Sequence, residues 1–94
     1  NNKLEEKRMS KVVHQLKENE LKEIEELFEK KIALENLLKI ITQEEDEARY
    51  QKLLADYGKQ CRLFQEWWDR MNQTYSWGQG NFYVDFHEAQ VIAQ

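Results

Sequence analysis

The sequence predicts a mainly α fold: a long antiparallel helical hairpin with a small C-terminal β-hairpin element, becoming α+β if an N-terminal run adds a strand. Two apolar stripes of helical period carry that expectation, together with a break in register between them. The third observation is a change to alternating apolar and polar residues after Gly78 and Gly80.

Residues 1–8 are polar and patternless, and Met9-Ser10-Lys11 reads like a natural start, so 1–8 are taken as a leader or remnant and 9–94 as one domain. Val12-Val13-His14-Gln15-Leu16 is a short β-prone run, either a strand or a lead-in to the first helix. From about residue 18 to 41 the period is helical: Leu21, Ile24, Leu27, Phe28, Leu34, Leu38 and Ile41 share one face, widened by Ile32 and Leu37. Glu23, Glu26, Glu29 and Lys30 fill the other side. Lys31 and Glu35 interrupt the apolar band. They are either a rim pair whose stems pack or a polar device that fixes register or partner choice.

Thr42-Gln43-Glu44-Glu45 fits a capping box, with Thr42 as the cap of a second helix and Glu45 reaching back. The second stripe runs Tyr50, Leu54, Tyr57, Cys61, Phe64, Trp68, Met71 and Tyr75, a heptad seam of the coiled-coil type. Extending the first stripe by heptads from Leu21 lands on Asp56, off this seam, which favours a hairpin over one stuttered helix. Trp77-Gly78-Gln79-Gly80 ends the helical region. Beyond it Phe82, Val84 and Phe86 point one way and Tyr83 and Asp85 the other. Gln90-Val91-Ile92-Ala93 is the candidate return arm, although His87-Glu88-Ala89 lacks the Gly or Asn that tight hairpins prefer.

Composition narrows the function classes. A net charge of −4 argues against nucleic acid, whose backbone needs a basic footprint, and against an anionic membrane surface. No apolar run is long enough to span a bilayer, and a single cysteine excludes an intramolecular disulfide framework, so a cytoplasmic setting is expected. Cys61, His14 and His87 are widely separated and form no metal-ligand pair; Cys61 on the seam reads as a small core hydrophobe. The carboxylates lie on helical faces, and Gly78 and Gly80 follow a helix instead of opening one, so neither acid–base catalysis nor phosphate cradling is implied. No cofactor is expected, and the chain does not read as an enzyme.

The aromatic cluster is the most informative feature. Trp68 lies on the seam and is expected in the core. Trp67 and Trp77 are less committed to it and are the candidate exposed anchors, although the first reading of Trp67 is that it covers the strands or the partner helix. The candidate partner-binding residues are therefore Trp67, Trp77, Phe82, Tyr83 and Phe86, with Lys31 and Glu35 as the polar pair.

Val12-Val13-His14-Gln15-Leu16, Glu26-Leu27-Phe28-Glu29-Lys30-Lys31 with Ala33-Leu34-Glu35, and Leu63-Phe64-Gln65-Glu66-Trp67-Trp68-Asp69 supply a further clue. Together with Tyr75-Ser76-Trp77 and Tyr83-Val84-Asp85-Phe86, they make the chain resemble small bacterial accessory proteins of CXXX-repeat peptide modification systems. The resemblance covers most of residues 11–92, and Lys17 and Asn19 depart from the Ser/Thr cap expected before the first helix. It implies a non-catalytic component whose neighbours are a radical-SAM peptide maturase and a Cys-repeat precursor peptide. The leading expectation is an accessory or adaptor protein that binds a protein or peptide. A self-associating homodimeric module is second and an enzyme third.

Overall fold

An antiparallel helical hairpin returns the chain to its starting end, so segments flanking the two helices are brought side by side. The computed structural model describes residues 10–41 and 44–94 and has this layout. Strand β1 (Lys11–Gln15) leads into helix α1 (Glu18–Ile40), followed by helix α2 (Glu47–Tyr75) and strands β2 (Phe82–Asp85) and β3 (Gln90–Ala93). The N-terminal run is thus a strand. The sheet order is β1-β3-β2, with both pairings antiparallel and β3 central. The longest dimension is 48 Å, close to the length of about 44 Å that a helix the size of α2 spans.

Each helix has an identifiable start. At α1 the Glu20 carboxylate reaches back to accept from the Lys17 N–H at 2.8 Å, the reverse half of a capping box, which explains how the helix begins without Ser or Thr. At α2 the cap is Asp46, whose side chain accepts from the Arg49 N–H at 3.0 Å. Thr42, the expected cap, lies outside the described residues, and the helix starts later than that reading requires. The α2 C-terminus falls before the glycines, with Ser76 itself in the left-handed region at φ 55°.

The hairpin between β2 and β3 forms despite its unfavourable loop. Ala89 takes the left-handed conformation (φ 54°) that Gly or Asn would adopt more easily, and Asp85 braces the turn by accepting from the Glu88 N–H. On β1 the register shifts between Val12 and His14, a bulge at Val13. It reverses the alternation: His14 and Leu16 face the helices, while Val12 faces away and is exposed.

The core sits where the sheet meets the base of the hairpin, around Leu16, Ile24, Trp67, Met71 and Val91. Met71 belongs to the expected seam, but the buried column beside it differs. Residues 57, 64 and 71 are kept, and Gln60 and Trp67 take the inward positions expected of Cys61 and Trp68. Trp67 is only 1% exposed. Its assignment as an exposed partner anchor is therefore corrected. The misreading has a physical source in Gln60, which looks unfit for a core column. Its side-chain amide donates to the Leu27 carbonyl at 3.2 Å across the helix pair, which lets it be buried satisfied.

Candidate functional site

Two features of the sheet end stand out: a polar lock that joins three elements, and a recess beside the last turns of α2.

The lock is centred on Glu20. Its carboxylate accepts from the Tyr75 hydroxyl at 2.5 Å and from the Lys17 N–H, and lies 2.9 Å from His14 Nε2. The His14 ring packs 4.0 Å from Tyr75, centroid to centroid. Burial raises the Glu20 pKa, but hydrogen bonds from Tyr75, the Lys17 backbone and His14 outweigh it, so the group is held below its ordinary value. Tyr75 is pushed up in turn by its bond to Glu20. Through these contacts Glu20, His14 and Tyr75 tie β1 to both helices.

The recess is about 560 Å3. Phe64, Trp68 and Phe82 supply its apolar lining, Gln65 and Asp69 stand on its α2 side, and the segment 78–81 closes it. That segment is positioned by Asn72, whose side-chain oxygen accepts from the Trp77 and Gly78 N–H groups and whose amide donates to the Gly78 carbonyl. Gly78 and Gly80 have φ of 88° and 131°, conformations that suit glycine and strain other residues. Trp68 is held edge-on by Trp67, Phe64 and Trp77.

Phe82 belongs both to the recess and to β2, an edge strand. The Gln94 N–H bonds to the Asn81 carbonyl, which sets the phase of the β2–β3 ladder. Residues 81, 83 and 85 therefore address β3, and the backbone N–H and C=O groups of Phe82 and Val84 point to the free edge. No further strand among the described residues pairs there.

The sequence-derived residues divide as follows. Phe82 lines the recess, and Trp77 is half-buried, stacked on Tyr75 and close to Phe82. Tyr83 lies on the opposite sheet face, in a cross-strand row with Ile92 and Val12. Phe86 packs on Phe28, with ring centres 5.1 Å apart. Lys31 and Glu35 pair with each other at 3.0 Å, and Glu35 also accepts from the Tyr57 hydroxyl of α2 at 2.7 Å. They work across the helix–helix interface inside the chain. That bond holds Glu35 below its ordinary pKa, with Lys31 adding to the effect, and pushes Tyr57 well up.

Sequence reasoning missed Asp69, Gln65 and Asn72. Asn72, six residues ahead of Gly78, carried a weak signal as a polar residue near a helix end. The other two look like ordinary surface residues until the 78–81 segment folds back beside them. Among the described residues no three His, Cys, Asp or Glu side chains gather as a metal site, and no helix is long and apolar enough to cross a membrane. No family model, curated protein or solved structure matches the chain.

Proposed function

We propose that this chain is a non-catalytic adaptor that receives an extended segment of a protein or peptide partner along β2. One observation carries the reading: the free edge of β2 lies beside a partly aromatic recess, and Phe82 belongs to both. An added strand gains main-chain hydrogen bonds from the edge and specificity from the recess. The resemblance described above adds, by itself, a peptide maturase or a Cys-repeat precursor peptide as the partner.

Hydrogen exchange tests the docking mode directly. In the free protein the amides of Phe82 and Val84 should exchange faster than those of Tyr83 and Asp85. Saturation with a synthetic extended peptide of alternating Thr and Val should protect the first pair. Unchanged exchange at Phe82 and Val84 with millimolar peptide would refute the reading.

A second reading, self-association, is favoured by a different region. From residue 25 to 59 no described residue is buried, and Leu37, Ile40 and Leu54 stand exposed. A second copy laid against this part of the hairpin would cover them, as in a four-helix arrangement. Sedimentation equilibrium should then show a dimer at micromolar concentration that Leu37→Glu dissociates; a monomer throughout would exclude it.

A further inference from the structure

We infer that the recess selects a cationic side chain, the ammonium or guanidinium of a Lys or Arg on the docked segment; this rests on the reading that β2 receives a peptide. The recess is lined by one acid and no base. Asp69 accepts from Gln65 at 3.1 Å and forms no ion pair among the described residues. The neighbouring Arg70 is committed elsewhere, to Glu23 of α1 at 2.6 Å. The rim therefore offers an uncompensated negative charge.

The aromatic lining points the same way. Ring faces attract cations through their quadrupole, Trp most strongly. Phe64 already carries the Lys31 ammonium 5.7 Å from its ring centre, so Trp68 and Phe82 are the contacts left for an incoming cation. Aromatic surface and carboxylate both favour positive charge. A long Lys or Arg stem would lie along the apolar lining with its head at Asp69.

The test uses the whole chain, 15N-labelled, and four otherwise identical Thr/Val peptides carrying Arg, Lys, norleucine or Phe at one central position. Binding is followed through the Trp68 indole N–H and the β2 amides. The Arg and Lys peptides should bind about tenfold more tightly than the norleucine peptide, the sum of a cation–π contact and a partly exposed ion pair. Asp69→Asn, a substitution at an exposed position, should leave the melting curve unchanged and cut that preference to about threefold, the share of the cation–π contact. If norleucine or Phe binds as tightly as Lys and Arg, or if the preference survives Asp69→Asn undiminished, the cation assignment is wrong while peptide docking stands. If no peptide shifts the β2 amides at millimolar concentration, the docking reading itself fails and the assignment falls with it.

Discussion

The two ends of the helical hairpin are built on different principles. At the sheet end Ile24, Trp67 and Val91 are sealed from solvent, and three strands from both ends of the chain close over the helices. At the turn end the helices meet without a third layer, and Ile40 is 73% exposed. Both ends use the same polar device, a tyrosine of α2 donating to a glutamate of α1. Tyr75–Glu20 is the sheet-end copy and Tyr57–Glu35 the turn-end copy. The Glu20 side chain is 11% exposed and has three neighbours, whereas that of Glu35 is 30% exposed and has two. A third layer therefore matters more than the device itself, because burial decides how much each hydrogen bond contributes. The end with a complete core fixes the fold; the end without one keeps apolar surface available.

The largest expected effect tests that division. Trp67→Ala should cost about 3–5 kcal/mol, the range for deleting a buried Trp, whereas Ile40→Ala should stay within about 0.5 kcal/mol in the monomer. Denaturant melts of both variants measure it, and comparable losses would erase the contrast.

Next comes pH. Glu20 is held below its ordinary value of 4.5 in the folded chain, so it contributes stability that is fully present above that value and lost as pH falls through the folded one. Melts from about pH 6 to about pH 3 should show this acid-side loss. Glu20→Gln should remove more of the slope than Glu35→Gln, whose shift has the same sign at a more accessible site. Equal changes would mean that the two devices are equivalent.

Asp46→Ala sharpens the comparison at the turn end. Loss of an N-cap costs about 1 kcal/mol. If the two ends unfold as one unit, the whole amount should appear in the global melt. If the turn end opens separately, hydrogen exchange around Tyr50 should speed up while the melt hardly moves.

The smallest effects are a pair of glycine exchanges in opposite senses. Ala89→Gly at the sheet end relieves a left-handed alanine, and Gly58→Ala within α2 removes a helix-weakening glycine whose Cβ position is open. Each should raise stability by about 0.5–1 kcal/mol. A loss at Gly58→Ala would show that this part of the hairpin packs more closely than its exposure implies.

Much of the fold is legible because it is local. Helical period, register break, end of helicity and strand alternation are each written within a few neighbouring residues, and α1, β2 and β3 follow the expected segments closely, while α2 starts later than a cap at Thr42 requires. The cap of α2 escaped because Asp46 sits in an acidic run where several residues look equally able to cap. The candidate site was only partly legible. Phe82 could be singled out from its strand pattern, but Asp69 and Gln65 acquire a role only when residues 78–81 return past α2.

What the sequence determined by itself is the set of elements, since periodicity acts through the residue's own backbone geometry and its nearest neighbours. It also set the hairpin, because helices whose apolar registers do not join cannot continue as one seam. Tertiary structure decided which column of α2 faces inward. The apolar pattern alone prefers Cys61 and Trp68, but the bond from Gln60 to the Leu27 carbonyl makes a polar residue acceptable inside and turns Trp67 into the core. That choice depends on a partner 33 residues away in the chain, and no reading of local pattern contains it.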